Sequence, residues 1–121
     1  MRIAEFTVYH VLIPLQKPIK HASHARTETD TLIVRCQLDD GTVGWGEGLP
    51  RPYVTGEDID AAWDMFAAND WPARLRFAWQ KVAELVLQLA QFQLPRTLAD
   101  ERGCFGHSVR CAIELSILDA A

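Results

Sequence analysis

The sequence lacks several features that would assign it to a large functional class. No apolar stretch approaches the roughly 20 residues of a membrane-spanning helix, and Glu5 interrupts the segment that would be apolar in a signal peptide. The cysteines are odd in number and include no Cys-x-x-Cys pair, which argues against a disulfide framework and favours a reducing compartment. We therefore expect a cytoplasmic protein whose cysteines are small buried side chains. They are Cys36, Cys104 and Cys111.

Positive charge is also scarce. The chain has 12 Lys and Arg residues against 16 Asp and Glu residues, a net charge of -4, so we expect neither nucleic acid nor an anionic membrane as a partner. The glycines between residues 41 and 48 do not form the G-x-G-x-x-G that opens a helix at a nucleotide site. What is present is 49% hydrophobic residues in 121, which predicts one compact domain.

Strand-type composition is confined to the first part of the chain. β-branched and aromatic residues dominate three segments, and Asp40-Gly41 between the second and third is typical of a tight hairpin. Pro14 is expected to end the first strand, which leaves a loop over residues 14–26 that is long enough to be functional. The result is a three-stranded antiparallel meander. The predicted strands span residues 2–12, 27–38 and 42–48.

Helical periodicity dominates the remainder. The run from Thr55 to Asp58 resembles a helix cap. The predicted helices span about 57–68, 75–95 and 108–121. The last helix has an apolar face together with apolar flanks, so we expect burial on more than one side. It ends without a stop signal, which indicates that more chain followed in the parent protein. Its face comprises Val109, Ala112, Ile113, Ser116, Ile117 and Ala120, and its flanks are Cys111, Leu115 and Leu118. The predicted fold is α+β, a meander followed by a small helical bundle.

The order of these segments resembles one family. Its most specific pieces are the Gly-Thr-Val-Gly-Trp-Gly-Glu run of 41–47, the Val-Thr-Gly-Glu run of 54–57 and residues 112–121. Together they are similar to the N-terminal capping domain of the mandelate racemase and muconate lactonizing enzymes of the enolase superfamily. Residues 14–23 are most similar to the dipeptide epimerase and muconate cycloisomerase branch.

The resemblance implies that catalysis and substrate capping belong to two different domains. In that family a (β/α) barrel carries the bases and a divalent Mg²⁺, and a proton α to a carboxylate is removed there. A barrel of about 250 residues cannot be contained in this chain. Residues 1–121 are therefore expected to be the capping domain alone, with no catalytic residue and no bound metal. The implied substrate is a small carboxylate that is racemised, epimerised or cycloisomerised.

The resemblance also places two substrate-contacting loops at about 17–26 and 49–55. The candidate substrate-binding residues are Lys20, His21, His24, Arg26, Arg51 and Tyr53. Basic side chains in the first loop would pair with a carboxylate through charge-assisted hydrogen bonds. Dipeptide epimerases for acidic dipeptides can carry an Arg where His24 falls here, and Arg26 is the alternative. The two loop histidines have no carboxylate or thiol beside them, so a metal site is not predicted. Glu47 is expected to make a structural hydrogen bond, and the four tryptophans are expected to pack in the core or at an interface.

Two alternatives to the capping domain stay open: a stand-alone binding or interaction module, and a truncated fragment without an independent role. A missing barrel and a stand-alone module predict different surfaces on the last helix. A missing barrel would leave an apolar surface at Ile113, Leu115, Ile117 and Leu118 that favours a homo-oligomer, whereas a stand-alone module should carry charges there. Glu114 is the single charge between residues 112 and 118, which favours a missing barrel.

Overall fold

The computed structural model describes residues 1–20, 25–94 and 106–121. The described residues form an antiparallel sheet in the order β1-β2-β3 and four helices. The predicted α+β meander with helices is confirmed. The elements are β1 (Ile3–Lys20), β2 (Ala25–Leu38), β3 (Val43–Gly48), α1 (Ile59–Ala67), α2 (Trp71–Arg74), α3 (Val82–Gln91) and α4 (His107–Ala120).

The first hairpin is longer than the sequence predicts. β1 does not stop at Pro14 but continues to Lys20, which pairs with Ala25, and the expected loop over 14–26 is largely strand. β1 is an edge strand, where a residue without an N–H is tolerated. The register also shifts between Pro14 and Ile19, and such irregularities accommodate proline. The two strands of the hairpin therefore extend into the segment expected to form the first candidate loop.

The second hairpin turns at Gly41, as predicted. Gly41 has a φ of 88°, a conformation in which a residue without a Cβ is not strained. The Asp40 carboxylate accepts a hydrogen bond from the Thr42 backbone N–H at 2.9 Å. This bond lowers the pKa of Asp40. The turn fixes the β2–β3 register that places the glycines of β3 on one face.

Helix α4 lies directly on that glycine face. A Cβ built on Gly44, Gly46 or Gly48 would clash with backbone atoms of α4. On the helix, small residues recur every four positions and face these glycines. Gly44 meets Ser116 and Ala120, Gly46 meets Ala112 and Ser116, and Gly48 meets Ser108 and Ala112. Helix and strand backbones therefore touch, and the core fills on either side of this contact. Its fully buried members include Leu32, Val34, Cys36, Leu85, Val109, Ile113 and Ile117.

The cap of α1 differs from the expected one. Its N-cap is Asp58, whose carboxylate accepts from the Ala61 N–H at 2.7 Å, while the Thr55 hydroxyl accepts from the Glu57 N–H at 3.4 Å in the preceding turn. The helix therefore begins two residues later than predicted. Glu57 itself is buried, with 3% of its surface exposed.

The predicted helix over 75–95 is wrong in its first part. α3 begins at Val82, and the chain before it pairs with the N-terminus. The Met1 ammonium donates to the Trp79 carbonyl oxygen at 2.8 Å, and the Trp79 N–H donates to the Met1 carbonyl oxygen at 3.2 Å. Gln88 bonds both backbone groups of Ala78. These bonds satisfy the backbone N–H and C=O groups of this segment without a helix. The break expected at 69–72 is also not observed as such, because α2 begins within it.

The predicted buried face of α4 is confirmed: all six of its residues are buried. Burial on more than one side is not found in this chain, because Leu115 and Leu118 are 47% and 40% exposed. Cys36 is buried as expected, but Cys111 is exposed, since it lies on that open flank. Cys104 lies outside the described residues. None of the helices in the described ranges combines the length and the apolar character that a bilayer crossing requires.

Candidate substrate-binding site

A cleft of about 300 Å³ opens where the β1–β2 hairpin meets the segment that follows β3. It joins three parts of the chain: the start of β2, the turn over residues 50–53, and the N-terminus of α1. Two guanidinium groups, a phenol and two carboxylates line it together with aliphatic side chains, of which Ile59 is the largest. The polar groups belong to Arg26, Arg51, Tyr53, Asp30 and Asp58.

Arg26 and Tyr53 link the two sides of the cleft. The Arg26 Nη1 donates to the Tyr53 hydroxyl oxygen at 3.2 Å, and its Nε donates to the Glu28 carbonyl oxygen at 3.3 Å. Both side chains are half-buried. These described contacts use two of the five N–H donors of a guanidinium. Arg26 is thereby oriented while it keeps donor capacity for an anion.

Arg51 is held by the protein itself. Its Nη1 donates to the carbonyl oxygens of Asp30 at 2.7 Å and Pro50 at 2.8 Å, and its Nη2 donates to the Thr29 hydroxyl at 2.6 Å. Burial lowers the pKa of Arg51, and the charge of Arg26 lowers it further. Arg51 therefore fastens the turn to β2 and adds positive charge behind Arg26.

The turn that carries Tyr53 is fixed at both ends. The Arg51 carbonyl oxygen accepts from the N–H groups of Val54 at 3.1 Å and Thr55 at 3.0 Å. At the far end, the Glu57 carboxylate accepts from the Ser108 N–H at 3.2 Å and from its hydroxyl at 2.7 Å. A carboxylate at the first turn of α4 is also favoured by the helix dipole. The cleft wall is thus anchored to the helix that packs on the sheet.

The two acids of the cleft already have partners. The Asp30 carboxylate lies 3.3 Å from the His10 Nε2. The Asp58 carboxylate caps α1, as described above, where the positive helix end offsets its charge. Arg26 therefore contributes positive charge to the lining, next to carboxylates that already have a partner.

The structure brings together three of the six residues singled out from the sequence: Arg26, Arg51 and Tyr53. Lys20 is exposed at the end of β1, opposite Ala25. His21 and His24 lie outside the described residues. The lining acids Asp30 and Asp58 were not anticipated. The Thr-Gly-Glu-Asp run could have indicated Asp58, since Asp is a preferred N-cap, but nothing local pointed to Asp30.

The remaining sequence candidates have structural contacts. Glu47 accepts a hydrogen bond from the Thr31 hydroxyl at 2.7 Å, as expected. Trp71 and Trp79 are buried, whereas Trp45 and Trp63 are 49% and 37% exposed. In the described part of the chain, no three His, Cys, Asp or Glu side chains are grouped so that they could hold a metal ion.

A second concave surface, a groove of about 400 Å³, runs along the outer flank of α4. Arg110 spans its rim: its Nε donates to Glu114 at 2.6 Å, and its Nη atoms donate to the carbonyl oxygens of Phe92 and Leu89, each at 2.9 Å. Leu115 and Leu118 form its apolar part. This groove presents an apolar surface with a polar rim, which is typical of a protein interface.

Comparison with known proteins relates the chain to one group of enzymes. No protein-family profile matches it. The L-Ala-D/L-amino acid epimerase of Populus trichocarpa is 32% identical over 111 residues, which are 89% of this chain and 24% of that enzyme.

Two of the solved structures that share the fold illustrate the match. The mandelate racemase/muconate lactonizing protein from Herpetosiphon aurantiacus matches 98% of this chain with a TM-score of 0.73 and 27% identity. The dipeptide epimerase from Methylococcus capsulatus, complexed with Mg and the dipeptide L-Arg-D-Lys, matches 75% with a TM-score of 0.61 and 29% identity. This chain covers 30% and 26% of those two proteins, so it spans between a quarter and a third of their length.

Proposed function

We propose that this chain, which belongs to the mandelate racemase and muconate lactonizing enzyme family of the enolase superfamily, is a substrate-capping and specificity domain and is not catalytic alone. The parent reaction would be the racemisation, epimerisation or cycloisomerisation of a small carboxylate substrate. A barrel domain outside this sequence would supply the catalytic groups. The family membership and the short coverage of the relatives support this division.

The observation that carries the proposal is the Arg26–Tyr53 contact of 3.2 Å. It joins the hairpin end to the turn after β3 over one cleft, so one ligand can touch both. A guanidinium binds a carboxylate with charge-assisted hydrogen bonds, and these strengthen when a closing domain excludes water. Arg26 would bind the substrate carboxylate, and Tyr53 would orient Arg26 and contribute an apolar ring face.

Arg51 has a different role in this proposal. Because its described hydrogen bonds go to Thr29, Asp30 and Pro50, it positions the turn. Lys20, His21 and His24 remain proposed contacts of the hairpin end with the substrate. The free thiols of Cys36 and Cys111 support a reducing, cytoplasmic location.

Magnesium would act elsewhere in the parent enzyme. The Methylococcus relative is complexed with Mg, and Mg²⁺ prefers several oxygen ligands in octahedral geometry. The described residues of this chain provide no such group, and the cleft acids are used by His10 and by the α1 cap. The residues present do not fit the metal, so we place its ligands in the barrel domain and assign no step to a metal held here.

The groove on α4 is the proposed contact for that barrel. Leu115 and Leu118 expose apolar surface next to the Arg110–Glu114 ion pair, and a stand-alone module would be expected to have charged side chains in their place. Burying these two side chains would stabilise the docked arrangement by about 1–2 kcal/mol each.

Carboxylate binding can be tested on this chain by NMR. We expect an N-acetylated dipeptide with a free carboxylate to shift the Arg26 Nε–H and Tyr53 ring signals saturably, and added salt to weaken the binding. Arg26→Gln should abolish the shift of the Tyr53 ring signals, whereas Arg74→Gln, which replaces an exposed arginine on α2, should leave both sets of shifts unchanged. An equal shift of the Tyr53 ring signals in the Arg26→Gln variant would contradict the proposed site.

A further inference from the structure

The sheet has a second face, opposite α4, that bears exposed aromatic side chains. Residues paired across antiparallel strands share a face, and the register pairs Ile33 with Tyr9 and with Glu47, and Arg35 with Trp45. These five side chains therefore lie together. Tyr9 and Trp45 are 43% and 49% exposed. Aromatic side chains open to solvent on a sheet face are typical of a protein interface.

The aromatic pair is preorganised. The rings of Tyr9 and Trp45 lie across β2 from each other, with centroids 6.1 Å apart and planes tilted by 32°. On the other side of the same strands, Leu32 and Val34 are fully buried. The face is thus rigid, because its strands are fixed by the core beneath them, and a partner would meet it with little loss of side-chain entropy.

We propose that this face binds a second copy of the same chain through a two-fold axis. The four central residues form a quadrilateral in which Arg35 and Glu47 occupy one diagonal and Ile33 and Trp45 occupy the other. An axis parallel to the sheet along the apolar diagonal sets Arg35 of one copy opposite Glu47 of the second, and the reverse. The same axis brings Trp45 against Trp45 and Ile33 against Ile33.

This charge arrangement favours a second copy as the occupant. An isologous interface must be self-complementary. The axis places the Arg35 cation of each copy opposite the Glu47 anion of the other, so the dimer contains two such contacts. Both groups keep capacity for the contact: Arg35 donates to the Gln37 side chain at 2.9 Å, and Glu47 accepts through one oxygen from Thr31. The face is separate from the candidate cleft and from the α4 groove.

The test is a charge exchange measured by sedimentation equilibrium. Leu115→Gln and Leu118→Gln are introduced throughout to remove association through the α4 groove. Arg35→Glu and Glu47→Arg should each weaken dimerisation at least roughly tenfold, since each creates two like-charge contacts per dimer. The double variant, and an equimolar mixture of the two single variants, should recover dimerisation, because opposite charges then face each other again.

Controls separate this geometry from unfolding and from general charge effects. Glu5→Arg makes the same charge change as Glu47→Arg at a position outside the quadrilateral and should leave the dimer intact. Far-UV circular dichroism establishes that each variant is folded. The proposal is overturned if the chain that carries only the Leu115→Gln and Leu118→Gln substitutions is monomeric at all concentrations, which would assign the face to a different partner. It is also overturned if the folded Arg35→Glu variant dimerises normally, or if the charge exchange does not restore dimerisation.

Discussion

Gly46→Ala offers the sharpest test of how α4 lies on the sheet. A Cβ at this position would lie 2.6 Å from the Ser116 backbone N and closer still to the Ala112 carbonyl oxygen. Both obstacles are backbone atoms of one rigid helix, so no side-chain rotation relieves the clash. The helix must move away, which opens gaps along the glycine rows at Gly44 and Gly48 as well.

The cost follows from overpacking. Forcing extra atoms into a packed core costs about 1–3 kcal/mol, and we expect about 3 kcal/mol because an entire helix must shift. At roughly 4 °C per kcal/mol for a domain of this size, the melting temperature should fall by about 12 °C. The measurement is thermal unfolding followed by circular dichroism, with urea unfolding as a check on the free energy.

Two further variants isolate the cause. Gly41→Ala has no atom within 4 Å of its new Cβ but a φ of 88°, so it should lose only about 1–2 kcal/mol from backbone strain. Ala112→Gly should not rescue Gly46→Ala, because the obstacle at residue 112 is its carbonyl oxygen. A Gly46→Ala protein that melts within a few degrees of the parent would refute the backbone contact.

Three further side-chain positions can be tested by substitution or by chemical modification. Glu57→Ala should lower the free energy of unfolding in urea by about 1–3 kcal/mol, because the buried Ser108 N–H loses its acceptor. Arg110→Met should lower the free energy of unfolding by a similar amount, roughly 1–3 kcal/mol, because two carbonyl oxygens at the end of α3 lose a charged donor. A thiol reagent followed by mass spectrometry should modify Cys111 slowly in the folded chain but Cys36 only after unfolding, because burial raises the pKa of Cys36 to about 12.

Local sequence signals predicted the sheet well where the governing contacts are local. The Asp-Gly turn predicted the β2–β3 hairpin, and the recurrence of small and apolar residues at about every four positions predicted α4. Pro14 was misread because its effect depends on strand position: at an edge it does not end the strand. The helix expected from Leu75 failed because the pairing of Met1 with Trp79 is a contact between distant segments.

The site was predicted only in part, for a related reason. Arg26 and Tyr53 were named from resemblance, and their contact depends on the extended hairpin, which the sequence did not indicate. The hydrogen bonds of Arg51 to three neighbours could not be anticipated, because a surface arginine that binds a ligand and one that fastens a turn have the same local pattern. Buried Glu57 carried no signal beyond its place in a Thr-Gly-Glu run.

A domain exchange can show whether this chain selects the substrate of a family enzyme. The matching segment of the Methylococcus capsulatus dipeptide epimerase would be replaced by this chain, and the epimerisation of acidic and basic dipeptides compared. We predict a folded, active chimera whose preference moves at least roughly tenfold towards acidic dipeptides, the range that one charge-assisted contact can supply, with Arg26→Gln cancelling the change. A folded chimera that is inactive, or that keeps the preference of the Methylococcus enzyme, would mean that this chain does not select the substrate.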